Sequence, residues 1–164
     1  MRILGIDPGI AIVGWGVVEQ KGNSFCPLDY GAIQTPAKMQ ISYRLEMIYS
    51  QLNEIIDKYS PDMLAIEQLF WNTNQKTAIA VSQARGVILL CARQKGLDIS
   101  EYTPLQVKQA VVGYGRADKK QVIAMVSALL RLKNLPKFDD TADALAVALC
   151  GGHCANSRLA FTSR

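Results

Sequence analysis

The chain of 164 residues predicts an α/β fold, a five-stranded mixed sheet flanked by helices. Three observations carry that expectation. Ile3-Leu4-Gly5-Ile6 and Met63-Leu64-Ala65-Ile66 are short continuous apolar runs, the pattern of strands buried on both faces, and each stops on a single acid, Asp7 or Glu67. Other segments carry apolar residues at helical spacing. The order of elements, three strands and then helices alternating with strands, builds a sheet covered by helices.

Residues 2 to 6 read as the first strand, which Asp7-Pro8-Gly9 breaks. Ile12 to Val18, rich in β-branched residues and interrupted by Gly14 and Gly16, is the second. Lys21-Gly22-Asn23 turns the chain into a third over about Phe25 to Ile33, so the first three strands form an antiparallel meander. From Tyr43 to Tyr59 the period changes, with apolar residues at 45, 48, 52, 55, 56 and 59 marking a helix that Ser60-Pro61 ends. Met63 to Ile66 is the fourth strand, Gln75 to Lys95 a helix closed by Gly96, and Asp98 to Tyr102 the fifth strand. Thr103-Pro104 supplies an N-cap and a proline at the first helical position for a short helix to about Val112. Gly113-Tyr114-Gly115-Arg116 is a basic loop, Lys119 to Leu132 a further helix, and the last helix runs from about Asp140 to Cys150. Beyond Gly151-Gly152 the tail is expected to fray. Strands four and five, reached through helical crossovers, are expected to run parallel to the first.

Residues 1–164 fit one domain, large enough to bury a core without staples. Nearly half the residues are hydrophobic, which argues against disorder. No apolar stretch approaches the roughly 20 residues that span a bilayer, so no membrane role is expected. The chain enters its first strand directly, without a signal peptide, and its four cysteines lack the density of a disulfide framework, so a reduced cytoplasm is the expected setting. The net charge is +4. Setting aside Asp7, Glu67, Asp140 and Asp143 leaves ten acids against 18 bases, a surplus that favours a polyanionic partner.

Those four acids are the most informative feature. A crevice forms outside the carboxyl ends of strands in such sheets, where Asp7 and Glu67 lie. Asp140 and Asp143, three residues apart on a helix, share a face. Four carboxylates brought together cannot all ionise without cations. Hard oxygen ligands suit Mg²⁺, and a pair of such ions can activate water and stabilise the leaving oxygen of a phosphodiester. Asp7 before Pro8-Gly9 also reads as a turn residue and Asp140 as an N-cap. Glu67 at a buried strand end and Asp143 inside an Ala/Leu helix are harder to explain structurally. Gly5-Ile-Asp-Pro-Gly with Gly14-Trp-Gly also resembles the first phosphate loop of actin-like kinases and ATPases, but those are longer, two-domain proteins with a second glycine-rich motif.

The segments Ile3-Leu-Gly-Ile-Asp-Pro-Gly, Gly14-Trp-Gly, Ala65-Ile-Glu-Gln, Gln83-Ala-Arg-Gly, Tyr102-Thr-Pro, Val107-Lys-Gln, Gly115-Arg-Ala-Asp-Lys and Asp140-Thr-Ala-Asp-Ala-Leu resemble, in order, the RuvC family of Holliday-junction resolvases. The likeness runs to about residue 150. It implies a ribonuclease-H-like fold, a homodimer, and Mg²⁺-dependent symmetric nicking of two strands of like polarity across four-way junction DNA in recombination and repair. The nicks would leave 5′-phosphate and 3′-hydroxyl ends. One or two Mg²⁺ per subunit are implied, with Mn²⁺ as a substitute, and so is a branch-migration motor of the RuvA and RuvB type as partner.

By position, the resemblance assigns Asp7, Glu67, Asp140 and Asp143 as catalytic and metal-binding, and Lys108 and Lys119 to a basic cleft that Arg116 and Lys120 extend. Phe70 matches an aromatic that stacks on a base at the crossover, with Trp71 as a possible assistant. Asp139 reads as a solvated acid at the helix start, since adjacent residues point about 100° apart around a helix. Arg85 reads as structural or near the dimer seam. Cys150-Gly-Gly-His153-Cys154 lacks a placed fourth ligand for zinc. The rivals are a related nuclease acting on another branched or RNA-containing substrate, and a non-catalytic junction or nucleotide binder.

Overall fold

Strand periodicity of two divides the core between two faces of a sheet. The computed structural model describes residues 1–69, 75–134 and 136–162. Its strands are β1 (Arg2–Asp7), β2 (Ile12–Lys21), β3 (Ser24–Gln34), β4 (Met63–Glu67) and β5 (Asp98–Tyr102), in the order β3-β2-β1-β4-β5. β1, β2 and β3 form the antiparallel meander, and β4 and β5 continue from β1 in parallel, as expected. Leu4, Ile6, Leu64 and Ile66 point to the face covered by α1 (Ile41–Tyr59) and α2 (Gln75–Gln94). Ile3, Met63 and Ala65 point to the opposite face, under α3 (Pro104–Val112), α4 (Lys119–Leu130) and α5 (Asp139–Thr162).

α5 lies directly on the centre of the sheet because β1 and β2 have no side chains beneath it at key points. A Cβ at Gly5 would sit 2.1 Å from the carbonyl oxygen of Ala144, and one at Gly14 only 1.9 Å from that of Asp140. Alanines at 144, 146 and 148 complete the close fit, all of them buried.

Several element ends differ from expectation: β2 runs to Lys21 rather than Val18, α1 begins at Ile41 rather than Tyr43, and α4 and α5 end elsewhere. α5 does not stop at Cys150 but continues through Gly151-Gly152 to Thr162, so the tail expected to fray there is helical. The glycines are packing positions: Cβ atoms at Gly151 and Gly152 would lie 3.0 Å from Ala65 and 2.4 Å from Phe25. α4 ends at Leu130, two residues early, because Arg131 takes a left-handed conformation at φ 51° and its N–H caps the helix. Among the described residues, no helix is long and apolar enough to cross a membrane.

Candidate active site

Asp7 and Glu67 inherit their direction from strand parity. Gly5 faces α5 and Ala65 belongs to the core beneath it, so the side chains two residues on lie on the same face. Register sets them side by side, because Ile6 pairs with Ile66 on the neighbouring parallel strand. Across β2, Asp7 pairs with Gly14, the glycine on which the backbone of Asp140 rests. The missing side chain opposite Asp7 is therefore the space that α5 enters. Thr141, 2% exposed, fixes that helix start by donating its hydroxyl to the carbonyl of Gly31 at 2.9 Å. On the other side of Asp7, Arg44 holds the following loop: its Nη2 donates to the carbonyl of Ile10 at 3.1 Å and its Nε to Thr35 Oγ1 at 2.7 Å.

Burial and neighbouring acids alter the ionisation of Asp7, Glu67 and Asp143. Burial, then the charges of Asp143, Glu67 and Asp140, raise the Asp7 carboxyl to about 7. Glu67 is raised by burial and by Asp143, against the lowering effect of Lys108 and Lys119. Asp143 is raised by burial, although the Lys119 contact pulls the other way. Such mutual elevation in a crevice is characteristic of sites that await a cation or proton.

Lys119 provides the positive charge. It opens α4 behind the N-cap Asp118, and its Nζ lies 3.1 Å from Asp143 and 3.3 Å from Asp139. A cleft of about 240 Å³ opens beside it, bounded by Glu67, Asp143, Lys108 and Lys119 over Val107 and Val122. α3 delivers Lys108 there. The helix starts immediately after β5, where Glu67 pairs with Tyr102, and a Thr103–Gln106 capping box fixes its direction. Asp7 and Asp140 do not line this cleft, and neither do Arg116 and Lys120, which are both exposed. Phe70 and Trp71 lie outside the described residues.

Among the described residues, no three His, Cys, Asp or Glu side chains gather closely enough to form a ready metal cage. An open, all-oxygen set still fits Mg²⁺, which binds through one or two carboxylates and keeps several waters. The set does not suit zinc, which prefers a closed shell of nitrogen and sulfur ligands in structural sites. The Cys150 thiol is buried and pushed up to about 12 by desolvation and then by Cys154, while the His153 ring packs on Phe25 with centroids 4.9 Å apart. Arg85 pairs with Glu101, tying α2 to β5.

Some contributors were not foreseen from sequence. Gly14 as the seat of Asp140, Thr141 as a helix anchor and Arg44 as a loop clamp depend on contacts between segments distant along the chain. Only Gly14 left a local signal, as a glycine inside an apolar strand, which marks close backbone approach.

An α/β sheet of this order, with acids outside the carboxyl ends of β1 and β4, defines the ribonuclease-H-like class. The yeast mitochondrial Holliday junction resolvase Ydc2 shares the fold at a TM-score of 0.66 and 15% identity, over 97% of this chain and 85% of that one. Thermus thermophilus RuvC in complex with a Holliday junction substrate superposes with a TM-score of 0.89 at 35% identity, covering 98% and 96% of the two chains. Residues 3–151 match the family described as crossover junction endodeoxyribonuclease RuvC. Relatives so named from Alkaliphilus oremlandii and Clostridioides difficile are each 58% identical, over 95% and 93% of this chain and 95% and 90% of theirs. The chain belongs to the RuvC family of crossover junction endodeoxyribonucleases.

Proposed function

We propose that this enzyme resolves Holliday junctions in recombination and repair by symmetric nicking of two DNA strands, using Asp7, Glu67, Asp140 and Asp143 as its catalytic acids. The observation that carries the reading is the meeting of two strand-end acids with the first turn of α5 across Gly14. Bound Mg²⁺, one or two ions per subunit with Mn²⁺ as a substitute, supplies an activated water and stabilises the leaving oxygen. Asp7, Glu67 and Asp143, raised by burial and mutual repulsion, would hold the cation. Asp140 completes the acid set from the same helix face as Asp143. Lys108 and Lys119, at the cleft, hold the phosphate for in-line attack and offset charge in the transition state. Arg116 and Lys120, exposed beyond the cleft, contact flanking phosphates and position the junction without reading sequence.

Phe70, by family position, stacks on an unpaired base at the crossover. Two nicks need two sites, and a homodimer supplies them. Its seam is supported by an exposed stripe on α2, where Ile79 is 70% and Leu90 56% exposed, with Gly86 open between them. The junction reaches the enzyme through a branch-migration motor of the RuvA and RuvB type in the cytoplasm.

Asp7→Asn tests the assignment. With Mg²⁺ it should nick a synthetic four-way junction at least a thousandfold more slowly while binding it as tightly as wild type. Undiminished nicking would overturn the acid assignment. Preferred cleavage of forked DNA or an RNA–DNA hybrid by wild type would redirect the substrate.

A further inference from the structure

A lysine at the first position of a helix faces the positive end of the helix dipole, where a cation is disfavoured. Lys119 occupies that position and is followed by another cation, Lys120. It is nonetheless held at the crevice by two acids from the start of α5. Its Nζ is 3.1 Å from Asp143 Oδ2 and 3.3 Å from Asp139 Oδ2, so one ammonium bridges an acid of the catalytic set and one outside it. The two acids are not equivalent. The Asp143 side chain is 30% exposed within the cleft, whereas that of Asp139 is 69% exposed on the outer side. A divalent cation taken up by Asp143 competes directly with the Lys119 ammonium. An ammonium has three donors, so Lys119 can surrender one partner and keep the other.

We infer that Asp139 is a positioning residue that retains Lys119 at the crevice when Asp143 turns to a divalent cation. Before the cation arrives, Lys119 neutralises Asp143. Once the cation is bound, Asp139 keeps the ammonium beside the phosphate and compensates for its repulsion from the metal. Asp139 touches neither substrate nor metal and acts only through Lys119. This rests on the metal reading of Asp143 given above.

Mn²⁺ binding, followed by electron paramagnetic resonance on the full-length protein, tests the inference without relying on cleavage. Asp139→Asn, at an exposed position, should fold normally and weaken Mn²⁺ binding roughly two- to fivefold, the range an exposed ion pair supports. Asp139→Glu should restore it. The decisive comparison is made in the Lys119→Met background, where Asp139→Asn should leave Mn²⁺ affinity unchanged. An equal loss in both backgrounds would mean that Asp139 acts on the metal through its own charge, and no loss in either would mean that it does nothing; each overturns the inference. The control is Asp143→Asn. If it leaves Mn²⁺ binding intact, the metal reading itself fails and the role of Asp139 falls with it, whereas weakened binding in Asp143→Asn with additive effects of 119 and 139 removes the inference alone.

Discussion

Asp7 concentrates the electrostatic strain of the crevice on one carboxyl. Burial and the surrounding acids raise it to about 7, against about 3.9 in an unfolded chain. The folded state thus holds this proton more tightly than the unfolded state. The resulting stabilisation is complete below the unfolded value and is lost as pH rises through about 7. Above that pH the metal-free protein carries an ionised Asp7 at a cost on the order of a few kcal/mol. Asp7→Asn removes the charge but keeps the shape. In EDTA it should raise the thermal midpoint by roughly 5 °C or more at pH 8 and change it little at pH 4.5. Thermal unfolding followed by circular dichroism at the two pH values provides the check, and an equal gain at both would show that charge is not the cause. The existence of the acids was legible in sequence, since Glu67 and Asp143 are poor fits to purely structural roles at their positions. Their unequal elevation was not, because burial and distance between strands decide it.

The close seat of α5 on β1 and β2 determines whether the two halves of the acid set meet. Gly14→Ala places a methyl group 1.9 Å from the Asp140 carbonyl oxygen, and the obstacle is backbone, which cannot rotate away. The variant should lose about 3 kcal/mol of stability, at the upper end of ordinary overpacking. A 1 Å retreat of the first turn of α5 would slow nicking by about 100-fold. Urea unfolding and single-turnover cleavage measure the two effects, and a fully active, stable Gly14→Ala protein would show that the contact does not position the acids. The same packing logic explains the misjudged end of α5. Glycine pairs have low helix propensity and resemble a stop in one dimension, yet Gly151 and Gly152 continue the helix because Ala65 and Phe25 leave no room for larger residues.

At the scale of the whole molecule, one face of α2 is exposed among the described residues. Ile79, Gln83, Gly86 and Leu90 follow a four-three-four spacing along α2 and are all exposed, while Arg85 beside them is tied to Glu101. Burying this stripe against a second copy would place two crevices in one particle. Leu90→Glu should therefore raise the dimer dissociation constant by about 100-fold or more, because an unpaired charge would be enclosed at the seam. Sedimentation at micromolar concentration would then show a dimer for wild type and a monomer for the variant; an unchanged dimer would place the seam elsewhere.

The sequence by itself determined the order and type of nearly every element, because strand and helix periods are local properties written into consecutive residues. It also determined the family, through motifs preserved in order along the chain. Only the tertiary structure decided how the acids meet. Asp7 and Glu67 meet through parallel register, and Asp140 reaches them through the space above Gly14. Lys119 spans Asp139 and Asp143, giving an acid first read as solvated a place beside the site. Such contacts join residues from 20 positions apart, as in Lys119 with Asp139, to more than a hundred, as in Gly14 with Asp140, and their geometry depends on packing distances that no local pattern encodes.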